Sequence, residues 1–476
     1  MRTPLALALS GLLIAMFFAI NSALQIAMGP VAARFLWRHR RRHGPQALPR
    51  VEDTALPLVS ILVPAHNRER TVVDSVRALL AIEYEPCQVV VINDGSTDAT
   101  LDALSRAFDL VAAPAAFGQP IATAPIQGCY RSIPEPRLIV LDKDGAGCKA
   151  DAVNAGINAS SGSLVLVIDA DTVLDQESIS RAVLPFLEDP HTVAVGGHVG
   201  VTNGCRLESG RVIDVALPRN WLARYQVIEH LRTLLLFRLA CASRNAVVLI
   251  SGAFGMFQRR ALIAIGGYDA TAIGDDMDLT IRLQTHYRDR GEPFRIAFDP
   301  NPLGWTQVPE NGASFRSERC RWRRGLMQVL WRHRRLIGNA RYGLVGLAVM
   351  PYLLIFEGVG PLLEITGYGI TIFAGLAGLA QWPYFAALSA TLVLLAMVVT
   401  LFAVMISDLV TQRYMRNGDL VSLVIVAITE SIGYRQWGAW LSCVGTYQAL
   451  LGAGGGAAMS RRAFGWVAVA LALASS

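Results

Sequence analysis

Hydrophobic residues gather at the two ends of the chain and leave a more polar middle part. The segment Thr3–Ala33 carries no charged residue and exceeds the roughly 20 residues that a helix needs to span a bilayer. A second uncharged run, Ile365–Ser407, is long enough for two passes, and shorter apolar stretches follow at Leu420–Ile428 and Gln436–Leu451. The pattern therefore predicts membrane helices on both sides of a soluble domain.

The middle part alternates short apolar runs with segments of helical spacing. Four runs have the length and composition of buried strands, namely Val59–Val63, Val89–Ile92, Leu138–Leu141 and Leu164–Ile168. Helical spacing is found at Thr71–Leu80, Asp98–Phe108 and Lys149–Asn158. Strands that alternate with helices predict an α/β domain with a parallel sheet. The segment Ala112–Pro136, rich in Ala, Pro and Gly, is expected to be a surface excursion.

A polar motif follows each of the four predicted strands. These motifs are Pro64–Arg70, Asn93–Asp98, Asp142–Lys149 and Asp169–Asp171. In parallel sheets, ligands bind beyond the carboxyl ends of the strands, so the four motifs are expected to meet at one rim.

Asp169 and Asp171 end the apolar run of the fourth predicted strand. They lie two residues apart, so they share one face of the chain. Buried carboxylates are costly unless they are paired or bound to metal, and a divalent cation that carries phosphate oxygens accounts for such a pair. A strand that ends in a solvated, Asp-rich turn is the alternative interpretation of these two residues alone.

The composition agrees with a membrane protein that has a soluble part. The chain is 53% hydrophobic and only 17% charged, whereas soluble domains contain about 25% charged residues. Arginine clusters at 34–50 and 319–341 flank the middle part and are expected to stay cytoplasmic. We therefore interpret the first segment as an uncleaved anchor rather than a signal peptide. The net charge of +6 fits contact with anionic lipids better than nucleic-acid binding.

The cysteines do not suggest a metal site. All seven are scattered, and none forms a C-x-x-C pair. We expect reduced thiols that mostly serve packing, with neither a zinc site nor a disulfide framework.

Taken in order, the polar motifs resemble those of the processive family 2 glycosyltransferases. This group includes bacterial cellulose, hyaluronan and poly-N-acetylglucosamine synthases, and the likeness is greatest to the last. The motifs are Pro64–Glu69, Asn93–Ser96, Gly147–Asn154, Asp169–Asp171, Ser251–Phe257, Gly274–Leu279 and Glu318–Trp322. The resemblance covers most of the chain and implies a Rossmann-like GT-A fold, a nucleotide-sugar donor and an inverting transfer.

The resemblance assigns donor binding to residues at the strand ends. Asp94 would accept a hydrogen bond from uracil, and Lys149 would neutralise phosphate charge near a helix N-terminus. Asp171 would ligate Mg²⁺ or Mn²⁺ on the diphosphate, and Asp169 would contact the ribose or support the metal. The remaining implied contacts to the nucleotide sugar come from Ala65, His66, Glu69, Asn154 and Arg321. For single motifs the alternatives are an ordinary polar loop, an Asx turn or a solvated lysine.

The resemblance also assigns the catalytic base and the acceptor side. Asp276 aligns with the base that takes the proton of the acceptor hydroxyl, and adjacent acids with partial burial should raise its pKa. Capping of a helix N-terminus by acids is the alternative role for this pair. The implied acceptor-binding residues are Gly252, Ala253, Phe254, Asp275 and Trp322.

Three positions depart from the family pattern. Arg68 stands where an acid is frequent, Cys148 replaces a common glycine, and Glu318 replaces the expected glutamine. A carboxylate at 318 would repel a diphosphate unless it pairs with Arg319 or Arg316. Glu318 therefore bears on donor affinity and processivity.

These observations predict a membrane-bound inverting glycosyltransferase. We expect a UDP-sugar donor, with UDP-GlcNAc or UDP-glucose favoured, and transfer to a growing β-linked polysaccharide or a lipid-linked acceptor. The alternatives are a non-processive lipid glycosyltransferase and a catalytically silent scaffold. The expected setting is the inner (plasma) membrane, with several passes, a cytoplasmic catalytic domain, lipid contacts and accessory secretion subunits.

The same patterns divide the chain into six parts. The expected boundaries are an anchor at 1–33, a basic linker at 34–55, the catalytic domain at 56–316, interfacial basic helices at 317–343, a transmembrane region at 344–451 and a tail at 452–476.

Overall fold

The computed structural model describes residues 2–42, 56–208, 210–232, 237–378, 382–411 and 417–452. Residues 43–55 of the predicted basic linker and residues 453–476 of the predicted tail lie outside this range.

A ten-stranded mixed sheet forms the centre of the described soluble part. Its strands lie side by side in the order β3-β4-β5-β2-β1-β6-β11-β8-β12-β7, and β9 and β10 form a separate two-stranded ribbon. The strands are β1 (Val59–Ala65), β2 (Cys87–Asp94), β3 (Leu110–Ala112), β4 (Ile126–Ser132), β5 (Leu138–Lys143), β6 (Leu164–Val167), β7 (Val173–Leu174), β8 (Thr192–Val201), β9 (Arg206–Glu208), β10 (Arg211–Asp214), β11 (Gly255–Gln258) and β12 (Arg295–Thr306).

The four strands predicted from apolar runs are confirmed. In the order β5, β2, β1 and β6 they pair in parallel, with Leu62 opposite both Val90 and Val167. These strands are covered on both faces, which explains why their sequences are continuously apolar rather than alternating.

The segment Ala112–Pro136 contributes a strand that the sequence analysis did not predict. Within it, β4 pairs antiparallel with β5 and extends the edge of the sheet. Only two of the seven residues of β4 are buried. A half-exposed edge strand lacks the apolar run that marked the central strands.

Helices cover both faces of the sheet and continue towards the C-terminus. They are α1 (Arg2–Arg42), α2 (Val72–Leu80), α3 (Thr100–Phe108), α4 (Lys149–Ala159), α5 (Ser178–Glu188), α6 (Trp221–His230), α7 (Arg238–Ala242), α8 (Arg259–Ala264), α9 (Asp275–Arg290), α10 (Gly312–Arg332), α11 (Met350–Tyr352), α12 (Gly360–Leu376), α13 (Trp382–Thr411), α14 (Asn417–Thr429) and α15 (Tyr434–Leu450). Short 3-10 turns at Arg334–Leu336 and Ala340–Tyr342 and π-helical segments at Val345–Val349 and Leu353–Val359 lie between α10 and α12.

Two helical stretches of the described chain are long and apolar enough to cross a membrane, Ser10–Arg41 and Val345–Leu376. The first belongs to α1, which continues as helix through the arginine cluster to Arg42. The two stretches pack together, since the rings of Phe17 and Phe356 lie 5.0 Å apart. The uncharged run at 365–407 is divided between α12 and α13.

Helix α10 packs against α15 rather than resting freely at an interface. Phe315 and Cys320 of α10 form a small apolar cluster with Leu441 of α15. Arg323 belongs to the stretch 317–343 that was expected to form interfacial basic helices, but its side chain is buried. Its guanidinium donates to Thr446 Oγ1, at 2.7 Å, and to two backbone carbonyls of the second π-helical segment.

The sequence of that segment explains why an arginine is buried there. The two carbonyls belong to Glu357 and Gly358. Residue 361 is proline, which has no N–H to donate to a carbonyl of the preceding turn. Arg323 supplies the missing donor from another helix.

We expect Arg323→Met to lower the free energy of unfolding by about 2–4 kcal/mol, because it leaves buried carbonyls without donors. Thermal unfolding of the purified protein in detergent measures the effect. Arg316→Met, at an exposed position of the same helix, is the control and should be nearly neutral. Equal midpoints for the two variants would contradict this account.

Candidate active site

The polar motifs that follow β1, β2, β5 and β6 meet at one rim, as the sequence predicted. His66 Nδ1 lies 2.8 Å from the backbone oxygen of Asp94, which joins the first two motifs. Lys149 Nζ lies 2.5 Å from Asp169 Oδ1, which joins the last two. The parallel pairing of β1 with β6 also brings Arg68 Nη2 within 3.9 Å of Asp171 Oδ2, although these residues are about a hundred positions apart in the chain.

The end of β2 forms a tight turn against the loop after β5. Asp94 is 8% exposed, and its Oδ1 accepts from Lys143 Nζ at 2.5 Å. Gly95 has φ +60°, and a Cβ there would lie 2.5 Å from the backbone nitrogen of Gly145. This close approach of two loops, together with the left-handed φ, requires glycine at position 95.

The first motif supplies one exposed ring and a helix cap. The ring of His66 lies at the rim, while the side chain of Ala65 is buried, so Ala65 can offer only backbone atoms to a ligand. Glu69 Oε2 accepts from the backbone N–H of Ala99 at 3.3 Å, directly before α3. Glu69 therefore makes the contact of an ordinary capping residue in this structure.

The prediction that Asn154 binds the nucleotide sugar is corrected by the structure. Its amide is buried in α4, where Nδ2 donates to the carbonyl of Tyr268 and Oδ1 accepts from the N–H of Tyr268, both at 2.8 Å. Asn154 faces the turn at Gly267, where a Cβ would lie 2.4 Å from its Oδ1. The residue ties α4 to this turn and does not face the rim.

Lys149 is the central cation of the site. It begins α4, donates to Asp169 Oδ1 and also to the carbonyl of Gly252 at 3.2 Å. Burial favours a lower pKa for its ammonium, but the carboxylates of Asp169 and Asp276 outweigh this, so the pKa of Lys149 lies above its usual value. The group is therefore charged at neutral pH and directed towards several acids.

Asp171 is about half exposed, and Arg68 Nη2 lies 3.9 Å from its Oδ2. The described residues contain no group of three or more His, Cys, Asp or Glu side chains that could hold a metal ion. Mg²⁺ and related ions commonly bind through one or two carboxylates together with substrate phosphates and water. One accessible carboxylate with a loosely held arginine fits an ion that arrives with a diphosphate, rather than one bound in a protein cage.

Asp275 and Asp276 begin α9 and lie beside Lys149. Burial and the neighbouring charge of Asp275 raise the pKa of Asp276 to about 7, although Lys149 acts in the opposite direction. A Cβ at Gly252 would lie 2.5 Å from Asp276 Oδ2, so only glycine leaves room for this carboxylate. A carboxylate with such a pKa can accept a proton at neutral pH.

Two cations near these acids were not identified from the sequence as site residues. Arg238 lies on α7 and is mostly buried; burial lowers its pKa to about 10, and the charge of Asp276 opposes that shift. It stands in an apolar stretch without a motif, so no sequence signal marked it. Lys143 lay inside the predicted motif Asp142–Lys149 but was not singled out.

The predicted acceptor-binding residues divide into two groups. Gly252 lies at the site, between Lys149 and Asp276. The side chains of Ala253 and Phe254 are buried in the core, and Phe254 is fully inaccessible. The ring of Phe254 lies in the core, so the predicted contact of Phe254 with an acceptor is limited to its backbone atoms.

The last motif lies on α10, where Arg321 and Trp322 are both exposed. Arg319 lies over the ring of Trp322 at 4.9 Å and binds Glu229 of α6, with Nη2 2.6 Å from Oε2. The guanidinium of Arg319 is thus engaged by Glu229 and not by Glu318. Burial raises the pKa of Glu318, and the positive charges of Arg319 and Arg321 limit this rise.

Comparison with known proteins gives two overlapping family matches. A model described as Glycosyl transferase family 2 matches residues 60–266, and one described as Glycosyl transferase family group 2 matches residues 164–407. Together they include every predicted site residue from Ala65 to Trp322.

Similar curated proteins are bacterial synthases. The poly-beta-1,6-N-acetyl-D-glucosamine synthase of Staphylococcus aureus (strain COL) is 26% identical over 298 residues, which is 63% of this chain and 61% of that protein. The synthase of the same name from Staphylococcus epidermidis is 26% identical over 274 residues, 58% of this chain and 56% of that protein. The chain thus matches less than two thirds of the length of these relatives.

A solved structure shows the same fold. The mannosyltransferase PcManGT from Pyrobaculum calidifontis, in complex with GDP-Man and Mn²⁺, has a TM-score of 0.52 and 19% identity, over 88% of this chain and 99% of that one. The predicted α/β fold of the GT-A class, with a mixed sheet and apolar helices beside it, is confirmed.

Proposed function

Because the chain belongs to glycosyl transferase family 2, we propose that it is a membrane-bound inverting enzyme that transfers a sugar from a UDP-sugar to a growing β-linked polysaccharide. The observation that carries this proposal is the position of Asp276, a carboxylate with a pKa of about 7 beside Lys149 and the bare backbone of Gly252. A base with such a pKa is suited to a hydroxyl nucleophile at neutral pH.

The donor would lie along the rim of the sheet. Asp94 at the end of β2 would bind the base, and the exposed His66 would lie beside it. The ammonium of Lys149, at the N-terminus of the 11-residue helix α4, would bind the diphosphate. Arg321 is exposed and could reach the same phosphates from α10. Mg²⁺ or Mn²⁺ bound by Asp171 would supply Lewis-acid stabilisation of the leaving diphosphate.

The chemical step would use Asp276 as general base. Its carboxylate accepts the proton of an acceptor hydroxyl while that oxygen forms a bond to the anomeric carbon. The bond between this carbon and the UDP oxygen breaks at the same time, and the negative charge that develops on UDP is balanced by Lys149. Attack opposite to the leaving group inverts an α-linked donor to a β-linked product.

The membrane helices would hold this site against the cytoplasmic face of the inner membrane. The stretches Ser10–Arg41 and Val345–Leu376 supply two spans, and α13, α14 and α15 would complete a multi-pass region. Arg34–Arg42 at the end of α1 would lie at anionic headgroups. Accessory secretion subunits and a carbohydrate or lipid-linked acceptor are the expected partners.

The names of the matched relatives favour N-acetylglucosamine as the transferred sugar, with glucose next. A single transfer to a lipid acceptor is the second candidate, because Glu318 replaces the glutamine of the processive pattern beside the exposed Trp322.

Replacement of Asp276 by asparagine should abolish transfer and leave UDP binding nearly unchanged. The variant removes the proton acceptor but keeps the volume beside Gly252, and we expect a loss of at least about 100-fold in kcat. Radiolabelled transfer from UDP-GlcNAc measures the rate, and calorimetry measures UDP affinity. Asp278→Asn, which alters a buried neighbour bound to Arg282 and His333, controls for disturbance of α9. Activity retained by the Asp276 variant would refute the base assignment.

The pH dependence of kcat/KM should show an acid limb near pH 7. Below the pKa of Asp276 the base is protonated, so the rate should fall about tenfold per pH unit and level off above about pH 8. Asp275→Asn removes the neighbouring negative charge that raises the pKa of Asp276. The pKa of Asp276 should therefore fall in this variant, and the acid limb should move to lower pH. A flat profile between about pH 5.5 and 8 would contradict the proposed role.

The length of the product separates the two acceptor hypotheses. Purified protein incubated with radiolabelled UDP-GlcNAc should give a ladder of long, β-linked chains on a sizing gel. A single labelled lipid, without longer species, would favour the non-processive transferase. Release of UDP without any labelled acceptor, or no release from any UDP-sugar, would contradict both.

A further inference from the structure

Lysine is nearly absent from this protein, and both of its lysines lie at the rim. The chain has 43 Lys and Arg residues, and only Lys143 and Lys149 are lysines. Every other cation is an arginine, including those buried in the core and those along the membrane helices. These two positions therefore carry a compact ammonium in a chain whose other Lys and Arg positions are all arginine.

Lys149 faces the proposed diphosphate, but Lys143 faces the interior. Its side chain is 2% exposed, and its Nζ lies 2.5 Å from Asp94 Oδ1, 2.7 Å from Asp151 Oδ2 and 2.6 Å from the carbonyl oxygen of Asp144. An ammonium has three donors, so all three are used within the protein. Lys143 has no hydrogen left for a ligand.

The arrangement instead fixes the carboxylate of Asp94. Lys143 holds its Oδ1, and the N–H of Ala146 approaches the same oxygen at 3.5 Å. Among the described residues, these contacts all use Oδ1. The backbone oxygen of Asp94 is held in turn by His66. No hydrogen bond between described residues uses the other oxygen, Oδ2.

Asp151 keeps the lysine in place. Its carboxylate accepts from Lys143 and also from the backbone N–H of Ala124, at 3.1 and 3.3 Å. Asp151 lies in the first turn of α4, two residues after Lys149. The same helix therefore carries a contact to the proposed nucleobase site, through Lys143, and the ammonium of Lys149 at the proposed diphosphate site.

We propose that Lys143 is a positioning residue that holds Oδ1 of Asp94 and leaves Oδ2 as the acceptor for a ligand, so that the site selects nucleobases with an imino N–H. This inference rests on the proposed function and adds the residue that sets its selectivity for the nucleobase. Uracil presents N3–H to such a carboxylate, whereas N3 of cytosine is a bare acceptor and would face Oδ2 without a proton between them. A ligand that leaves a buried polar group of the site without a hydrogen-bond partner binds much more weakly than one that supplies the partner.

The contacts of Lys143 suggest a substitution that tests its positioning role. Three acceptors surround a single nitrogen of Lys143, and a guanidinium distributes its donors over three nitrogens in a plane. Lys143→Arg therefore keeps the charge but cannot reproduce the contacts. Arg137→Lys, just before the other end of β5, is the matched control because it makes the reverse exchange away from the rim.

The test is the ratio of the CDP and UDP dissociation constants, measured by calorimetry on the full-length protein in detergent with Mn²⁺. We expect UDP to bind the natural protein about 100-fold or more tightly than CDP. In Lys143→Arg, UDP binding should weaken while CDP binding changes little, so that the ratio falls below about tenfold. Arg137→Lys should retain the natural ratio. If Lys143 only stabilised the fold, Lys143→Arg would weaken the binding of UDP and of CDP by similar factors.

A folded Lys143→Arg protein that keeps the natural ratio overturns the inference and leaves the proposed function intact. Failure of the natural protein to bind UDP at all would overturn both. If Lys143→Arg does not fold, Asp151→Asn provides the second variant, since it leaves the contact to Asp94 but removes one anchor, and it should lower the same ratio.

Amine chemistry gives a check that does not depend on binding. With only two lysines, reductive methylation by formaldehyde and a borane can be followed at each ε-amine by mass spectrometry. Lys143 should react more slowly than the partly exposed Lys149 in the natural protein and faster in Asp151→Asn. Equal rates at both lysines of the natural protein would overturn the buried arrangement.

Discussion

Repulsion between like charges is the constraint on which this site depends. Five carboxylates lie at one rim of the sheet, those of Asp94, Asp169, Asp171, Asp275 and Asp276. Two unit charges 4 Å apart interact with about 4 kcal/mol at an effective dielectric constant of about 20, so repulsion among the five carboxylates opposes folding unless cations lie between them. Two ammonium groups lie among these acids. Lys143 pairs with Asp94 at the proposed nucleobase site, and Lys149 pairs with Asp169 at the proposed diphosphate site. Burial and the neighbouring charge of Asp275 raise the pKa of Asp276, although Lys149 acts in the opposite direction.

The sequence predicted the part of the fold that arises from short, continuous apolar runs. Strands β1, β2, β5 and β6 and helices α2, α3 and α4 appear within a few residues of their expected bounds, because burial on both faces leaves a strong local pattern. Strand β4 was missed, since an edge strand has exposed positions. Strands β8 and β12, which pair in parallel, contain glycines and prolines that interrupt such a pattern.

Motifs located the rim well but did not determine the direction of each side chain. Asn154 and Phe254 belong to motifs of the site, yet a buried helix turns the first towards Tyr268 and a tight turn places the second in the core. Arg238 is the opposite case. It belongs to no motif, and the tertiary fold places it where the charge of Asp276 acts on it. Residue type and spacing therefore specify where a site forms, whereas its individual contacts depend on packing between distant segments.

Helix α1 has a geometric consequence for the whole molecule. Its 41 residues correspond to a length of roughly 60 Å at 1.5 Å per residue, about twice the hydrocarbon thickness of a bilayer. Near its C-terminal end, His39 Nε2 lies 3.7 Å from Asp299 Oδ1 of β12, so the helix reaches the central sheet directly. In the proposed membrane orientation, the length of this helix would set the distance between the sheet and the bilayer, and removing a single turn would shorten that distance by about 5 Å.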